Sequence, residues 1–188
     1  MLEVGCGTGE GAERIAQELG AEVVALDVSP RMVDLSRERG VDARIGDVQE
    51  LSFADGEFDC AVATWVLYHA QDVDRAIAEL ARVLRPGGRL VAATIGDDNL
   101  RELWELLGDS SQNVLSFNTR NGAELLRRHF ARVEQLDPVG TVVFPNPAAM
   151  RMLVAATITR SHLAERVPEF EGEFRAGSRH TLFVAEKA

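Results

Sequence analysis

A glycine-rich turn at the start of the chain constrains its fold more than any other stretch. The chain opens with a short apolar run, and residues 3–9 read Glu-Val-Gly-Cys-Gly-Thr-Gly. The next residues place Ile15, Ala16 and Leu19 on one helical face. A strand, a glycine turn and a helix in this order let the backbone approach a bound nucleotide, because glycine has no Cβ to block it. A tight turn without a ligand is the alternative, but residues 5–11 contain four glycines, preceded by an acid, which weighs against it.

Two classes of nucleotide fit this turn. Residues 7–12 match the fingerprint G-x-G-x-x-G/A of dinucleotide-binding proteins, and the acid that follows at Asp27 would then indicate NAD. The other register is residues 3–9, an acid followed by glycines at every second position. In that register the chain resembles the class I S-adenosylmethionine-dependent methyltransferases, whose first motif has the form E/D-x-G-x-G-x-G.

Three later stretches carry the rest of the resemblance. Gly-Asp-Val at 46–48 follows a short predicted strand, and Phe-Asp at 58–59 precedes an apolar strand. Pro-Gly-Gly at 86–88 lies between an amphipathic helix at 72–84 and a strand at 90–95. A lone Pro-Gly-Gly is only turn chemistry, but its position in this order adds to the resemblance.

The resemblance implies an α/β fold, a Rossmann-like three-layer sandwich with a seven-stranded, mostly parallel sheet. The family's strand order is 3-2-1-4-5-7-6, with strand 7 antiparallel. Residues 1–96 would form the cofactor-binding half and 97–188 the substrate-side half, with a helical insertion at about 146–176. The length and the lack of a linker sequence predict a single methyltransferase domain over 1–188.

Asp27 ends the second predicted strand, where an acid can accept hydrogen bonds from two vicinal ribose hydroxyls. The alternative is that Asp27 only caps the next helix. Ser29 and Pro30 provide a better cap and first helical residue, which would leave Asp27 free. The sequence therefore predicts that Asp27 binds the ribose.

Further cofactor contacts are implied by the resemblance. Met32 would form one wall of the adenine pocket, Asp47 would accept from the adenine amino group, and the Val48 N–H would donate to a ring nitrogen. Thr64 would lie against the methionine part of S-adenosylmethionine. Met32 as core filler and Asp47 as the start of an ordinary turn stay open as alternatives. The predicted site for this cofactor, and for its product S-adenosylhomocysteine, also includes the turn and the second strand: Glu3, Gly5, Gly7, Gly9 and Asp27.

Residues after the fourth strand would reach the place where acceptor and methyl group meet. Methyl transfer from a sulfonium is an in-line displacement whose activation resides in the cofactor, so the protein must align the acceptor and exclude water. A base is needed only if the acceptor holds its proton, as a hydroxyl does. His69 and Tyr68 are the candidate catalytic residues. A structural hydrogen bond or an exposed loop position is the alternative for His69.

The composition favours a small-molecule acceptor. The formal net charge is −10, and the sequence has no stripe of Lys and Arg suited to nucleic acid. It also has no long apolar run and no secretory signal. The two cysteines fit no metal-binding pattern. These features predict a cytoplasmic protein without a metal site or a membrane span. A nucleic-acid substrate is the less favoured alternative, for which Arg127, Arg128 and Arg132 are the nearest candidate patch.

Only four residues precede Gly5, whereas family members usually carry a helix ahead of the first strand. The resemblance therefore predicts that this N-terminal helix is missing. A late start, trimming, and a protein that works without this cover all stay open. Bare apolar surface at that place would favour a homodimer.

The sequence predicts an S-adenosylmethionine-dependent methyltransferase that acts on a small-molecule oxygen, nitrogen or carbon acceptor. The second hypothesis is a cofactor-binding protein of the same fold without transferase activity, because the sequence does not require any particular residue to be catalytic. An NAD(P)-dependent oxidoreductase is the third.

Overall fold

The computed structural model describes residues 1–109, 115–157 and 159–188. The chain packs as two compact units, which are described separately. Unit 1 consists of three segments: Met1–Ile95, Leu115–Leu136 and Thr181–Ala188. Unit 2 consists of two segments: Gly96–Val114 and Asp137–His180. The single-domain organisation expected from the sequence stays a prediction.

Eight strands form the sheet within the described residues, in the order β3-β2-β1-β4-β5-β8-β6, with β7 also pairing with β8. The pairs among β1 to β5 are parallel, and β6 and β7 run antiparallel to β8. This confirms the predicted strand order, with β8 in the place of the family's seventh strand and β7 added. The strands are β1 Leu2–Val4, β2 Val24–Asp27, β3 Asp42–Ile45, β4 Phe58–Thr64, β5 Leu84–Ile95, β6 Arg132–Leu136, β7 Val139–Phe144 and β8 Phe174–Glu186.

Three of the described α-helices begin at a side-chain cap, provided by Ser29, Asp72 and Asn146. The Ser29 hydroxyl accepts from the Met32 amide and is followed by Pro30, as predicted. The Asp72 carboxylate caps its helix by accepting from the Arg75 amide. No described helix has the length and apolar character needed to cross a membrane. The α-helices are α1 Glu10–Leu19, α2 Pro30–Glu38, α3 Val73–Val83, α4 Arg101–Leu106, α5 Gly122–Arg127 and α6 Pro147–Ala155, with 3₁₀ turns at Leu67–His69 and Ser161–Arg166.

The core of unit 1 is built from the apolar faces of its sheet and helices. Ile77 and Leu80 of α3 are fully buried, as the helical period predicts, and they belong to one cluster with Leu2 and Leu90. Burial of each such side chain stabilises the fold by roughly 1.5–3 kcal/mol. A second cluster of small residues, which allows close packing of helix on sheet, contains Cys6, Ala12, Ala25, Val33 and Ala43.

The Pro-Gly-Gly segment lies inside β5, which corrects the predicted start of that strand at residue 90. Phe58 of β4 pairs with Leu84, whereas Cys60 pairs with Arg89, so residues 85–88 bulge out of the ladder. Gly87 reaches a φ of 71° there. The bulge arises because proline has no amide hydrogen for a regular ladder and glycine tolerates the left-handed region.

The sequence Asn-Gly-Ala-Glu at 121–124 has the pattern of a capping box and predicts one at the start of α5, but this prediction is wrong. Asn121 makes no side-chain cap bond. Its Oδ1 accepts from the Asn118 amide and its Nδ2 donates to the Ser116 carbonyl. The competing local bonds to Asn118 and Ser116 occupy the amide group that the box would have used.

Unit 2 has its own apolar cluster, which includes Phe144, Met150 and Leu163. The guanidinium of Arg160 lies 4.6 Å from the Trp104 ring centroid, and its Nε donates to Asp109 at 2.6 Å. The helical insertion expected at about 146–176 contains α6 and the second 3₁₀ turn, and it ends where β8 begins.

Candidate cofactor site

The glycine turn joins β1 to α1 through three left-handed residues. The φ angles of Gly5, Gly7 and Gly9 are 69°, 54° and 81°. Inside the turn the Gly9 amide donates to the Cys6 carbonyl, and the Cys6 amide donates to Leu26 of β2, each at 2.9 Å. The alternating glycines are required because side chains other than glycine rarely adopt this backbone conformation.

The three glycines face different surroundings. A Cβ on Gly5 would lie 2.5 Å from Val66 Cγ2, and one on Gly9 would lie 2.9 Å from the Cα of Ser36. A Cβ on Gly7 would meet nothing within 4 Å. Two glycines therefore permit internal packing, whereas Gly7 faces open space that a ligand can occupy.

Asp27 lies beside this turn. Its Oδ2 accepts from the Gly7 amide at 2.9 Å, and its Oδ1 accepts from the Ser29 amide at 2.9 Å. Ser29 rather than Asp27 caps α2, as predicted, but Asp27 is not without partners, because both of its oxygens already accept backbone bonds that fix the turn. Each carboxylate oxygen has a second acceptor site, so Asp27 keeps the capacity to bind hydroxyl groups.

Glu3 is a buried carboxylate behind the turn, with 5% of its surface exposed. Burial raises the pKa of Glu3, and a hydrogen bond from the Ala12 backbone near the start of α1 partly opposes this. Its Oε2 has no hydrogen-bond partner among the described residues. Gly11 leaves room for this carboxylate, since a Cβ there would lie 2.5 Å from Oε1. An unsatisfied buried carboxylate of this kind suits a cationic ligand.

The loop after β3 brings Asp47 and Val48 to the same end of the sheet as Asp27. The Gly46 amide donates to the Asp27 carbonyl at 3.1 Å, which ties the start of the loop to the end of β2. Asp47 is exposed and Val48 is buried. Met32, half-buried in the first turn of α2, donates its amide to Ser29.

Arg82 of α3 holds the rest of this loop. Its guanidinium donates to the Leu51 and Phe53 carbonyls at 2.8 Å each, and to the Asp55 and Glu79 carboxylates. The hydrogen bonds with Glu79 and then Asp55 raise the pKa of the Arg82 guanidinium. This anchor was not predictable from the sequence, because nothing in the local pattern links α3 to a loop about thirty residues earlier.

The segment after β4 carries the candidate catalytic residues. Thr64 ends the strand, half-buried, and Trp65 follows with a φ of 55°. His69 is exposed, and its ring centroid lies 4.5 Å from that of half-buried Tyr68. Burial raises the pKa of the Tyr68 phenol. The contact of Val66 with Gly5 places this segment against the glycine turn.

Residues 2–92 match a family described as "Methyltransferase domain". The malonyl-[acyl-carrier protein] O-methyltransferase of Methylococcus capsulatus is 31% identical over 195 residues, covering 92% of this chain and 70% of that protein. The chain belongs to the class I S-adenosylmethionine-dependent methyltransferases.

Two further comparisons agree with this methyltransferase fold. A malonyl-[acyl-carrier protein] O-methyltransferase of Serratia marcescens is 36% identical over 116 residues, covering 61% of this chain and 44% of that protein. The crystal structure of the [4+2]-cyclase SpnF is 25% identical with a TM-score of 0.66, covering 99% of this chain and 74% of that one. The methyltransferase chain spans less than half the length of the first curated relatives that it matches.

Membership of this methyltransferase family makes S-adenosylmethionine the cofactor, and the residues present fit it. The turn offers an open face at Gly7, Asp27 retains acceptor capacity beside that face, and Glu3 has an unsatisfied buried oxygen. Within residues 1–109, 115–157 and 159–188, no group of three or more His, Cys, Asp or Glu residues could hold a metal ion.

Proposed function

We propose that this methyltransferase transfers a methyl group to a small-molecule acceptor by in-line displacement. The proposal rests on the contact between the turn after β1 and the last residue of β2. There the Gly7 amide donates to the Asp27 carboxylate, and Gly7 itself faces open space. A dinucleotide site would use a similar turn. The family match over residues 2–92 favours the adenosyl sulfonium instead.

Each predicted cofactor residue has a role in this proposal. When bound, S-adenosylmethionine supplies a methyl group already activated on a sulfonium. Asp27 accepts from the ribose hydroxyls, and Asp47 and the Val48 amide recognise the adenine, with Met32 against its face. Thr64 contacts the methionine part, and the buried carboxyl of Glu3, when ionised, favours a cationic ligand. The backbone of the turn lies beneath the cofactor: Gly5, Gly7 and Gly9.

Tyr68 and His69 have separate roles in the proposed reaction. Because burial raises the pKa of Tyr68, its phenol stays protonated at neutral pH and donates a hydrogen bond to the acceptor. The imidazole of His69 accepts the acceptor's proton where that acceptor is a hydroxyl. An acceptor with a free lone pair or an ionised oxygen needs only alignment and exclusion of water.

The charge of the chain supports a small acceptor. A formal net charge of −10 repels polyanions such as nucleic acids. The relatives named above act on malonyl-[acyl-carrier protein], so malonyl thioesters belong in the acceptor panel. A cytoplasmic location and a homodimer stay predictions.

A cofactor-binding protein that does not transfer methyl groups is the second candidate. The likeness to a protein described as a [4+2]-cyclase supports it, because that likeness shows that this fold is not restricted to proteins named as methyltransferases. Binding without turnover is its signature.

Two measurements test the proposal. Isothermal titration compares S-adenosylmethionine, S-adenosylhomocysteine and NAD, and we expect binding of the first two alone. A radiolabelled methyl donor is then offered with a panel of hydroxyl, amine, carboxylate and activated-carbon acceptors. Transfer to any of them supports a methyltransferase. Tight cofactor binding with no transfer across the panel supports the second candidate, and binding of NAD alone would overturn both.

Asp27→Ala tests the ribose assignment. The variant loses two backbone hydrogen bonds and the proposed ribose acceptor, so we expect S-adenosylhomocysteine affinity to fall by roughly tenfold or more. Titration calorimetry measures the change. Asp59→Ala is the control, because Asp59 pairs with Arg85 on the exposed surface. Unchanged affinity in Asp27→Ala would remove Asp27 from the site.

A further inference from the structure

Gln49 makes an unusually complete set of hydrogen bonds in the loop after β3. Its Nε2 donates to both carboxylate oxygens of Asp47, at 3.1 Å each. Its backbone amide donates to Asp47 Oδ1 at 2.8 Å. Its Oε1 accepts from the backbone amide of Asp72 at 2.7 Å. One half-buried side chain thus links the Asp47 carboxylate to the residue that caps α3.

The chemistry of the partners fixes the direction of the Gln49 amide. A carboxylate only accepts hydrogen bonds, and a backbone N–H only donates. Rotation of the amide by 180° would place oxygen against the Asp47 carboxylate and the NH₂ group against the Asp72 N–H, which loses all the side-chain bonds. The orientation with Nε2 toward Asp47 is therefore the one that the surroundings permit.

These bonds also leave the two oxygens of Asp47 unequal. Oδ1 accepts two hydrogen bonds from Gln49, one from the backbone and one from the side chain, whereas Oδ2 accepts one. Each carboxylate oxygen has about two acceptor sites. Oδ1 is therefore filled, and Oδ2 retains a site for another donor. Asp47 is itself exposed, so that donor can come from a ligand.

We propose that Gln49 is a positioning residue for the cofactor: it turns the Asp47 carboxylate so that Oδ2 receives the 6-amino group of the adenine. The inference rests on the proposed function, since it needs Asp47 to recognise adenine. A freely rotating carboxylate would lose side-chain entropy on binding, and a preset one has already lost it. Gln49 acts only through Asp47 and does not touch the cofactor.

The second anchor of Gln49 gives this link a further role. Asp72 is the N-cap residue of α3, and the 3₁₀ turn with Tyr68 and His69 ends just before it along the chain. The same side chain therefore holds the adenine-recognising loop and the helix start that follows the proposed acceptor-binding segment. Its bond to the Asp72 amide keeps the Gln49 side chain from following Asp47 if that carboxylate rotates.

Gln49→Glu is the test variant, because it keeps the acceptor for the Asp72 amide and removes the donor to Asp47. It also places two carboxylates side by side, which turns Asp47 away. Titration calorimetry compares two ligands: S-adenosylhomocysteine and its 6-deamino analogue, in which hydrogen replaces the amino group. Gln49→Met, which removes the donor without adding charge, is the second variant. Gln17→Glu is the matched control, since Gln17 contacts Glu13 on the exposed face of α1.

The wild-type chain is expected to bind S-adenosylhomocysteine roughly tenfold or more tightly than the deamino analogue. In Gln49→Glu and Gln49→Met the affinity for S-adenosylhomocysteine falls to near that of the analogue, and the affinity for the analogue stays unchanged. Gln17→Glu keeps the wild-type preference. Equal loss for both ligands, or a retained preference, would overturn the role of Gln49. A wild-type chain without preference refutes adenine recognition by Asp47, and one that binds neither ligand refutes the proposed function.

Discussion

Gly7 and Gly20 have similar positive φ angles in different places, so alanine substitutions at the two positions can be compared directly. Their φ angles are 54° and 62°, and a Cβ on either would meet nothing within 4 Å. Alanine at each position therefore carries the same left-handed strain, about 1–2 kcal/mol. Any difference between the two variants reports on what else occupies the space beside Gly7.

We expect Gly7→Ala and Gly20→Ala to lower the melting temperature by similar amounts. Only Gly7→Ala should weaken S-adenosylhomocysteine binding, by roughly tenfold or more, because its methyl group enters the space proposed for the cofactor. Differential scanning fluorimetry and titration calorimetry measure the two effects. Equal affinity in both variants would show that the ligand does not approach Gly7.

The buried carboxyl of Glu3 makes the stability of the folded protein depend on pH in a defined direction. Burial raises its pKa from 4.5, so the folded state holds the proton more tightly than the unfolded chain does. The stability that this provides is fully present below the unfolded pKa and is lost as pH rises through the folded pKa. Ionisation of Glu3 therefore destabilises the ligand-free protein.

Glu3→Gln removes this titration. We expect the free energy of unfolding of the variant to rise relative to wild type as the pH increases from about 4 to 8. Urea denaturation at a series of pH values, without ligand, provides the comparison. Glu18→Gln, at an exposed position on α1, serves as the control. A wild-type to variant difference that does not change with pH would contradict the account of Glu3.

At the scale of elements, α3 anchors the loop between β3 and β4 through Arg82. The guanidinium bonds two loop carbonyls and two carboxylates, and 31% of its side chain is exposed. Arg85, a few residues later, makes an equally short ion pair with Asp59, but its side chain is 61% exposed. Substitution of each arginine therefore compares a cation held by several hydrogen bonds with a cation in a solvent-exposed ion pair.

Arg82→Ala should lower stability by about 2 kcal/mol, because the Phe53 carbonyl and the Asp55 carboxylate lose their donor and the Leu51 carbonyl and Glu79 each lose one of their donors. For a chain of this size the melting temperature would fall by about 4–8 °C. Arg85→Ala should cost less than about 1 kcal/mol, as for other surface ion pairs. Thermal unfolding followed by circular dichroism distinguishes these outcomes. Equal effects would mean that Arg82 does not hold the loop.

Elements set by neighbouring residues were predictable from the sequence, and contacts across the fold were not. Ser29 and Pro30 define the start of α2 because the cap bond joins residues three apart. Asn121 has the right residue type for a cap, but two equally local partners, Asn118 and Ser116, take its amide. Whether such a residue caps a helix depends on a competition that a pattern does not resolve.

In the candidate site, too, local features were predictable from the sequence and contacts across the fold were not. The turn Gly5 to Gly9 and the acid at Asp27 follow from glycine spacing and strand ends, so their positions were predictable. The contact of Gly5 with Val66 depends on strand order, which brings β4 beside β1. The bond from Gln49 to Asp72 spans 23 residues. Positioning residues of this kind are recognisable only once the parallel strand ends have been brought together.

At the scale of the whole molecule, charge decides which partners approach. A formal net charge of −10 produces repulsion that strengthens as salt is removed. We therefore expect no binding to transfer RNA or duplex DNA, even at about 50 mM salt, where the Debye length exceeds about 10 Å. Fluorescence anisotropy with labelled nucleic acids measures this. Binding that weakens steeply with added salt would indicate a local basic patch and contradict the expectation.

The packing around the opening turn limits how a bound molecule can leave it. Ser36 of α2 fills the space beside Gly9, and Val66 fills the space beside Gly5. The space beside Gly9 could open only if α2 moved, and the space beside Gly5 could open only if the segment after β4 moved. In the proposed site, the cofactor would therefore enter and leave on the side of Gly7, where a Cβ would meet nothing within 4 Å. Exchange of spent for fresh cofactor in the proposed site would therefore not require the turn to open.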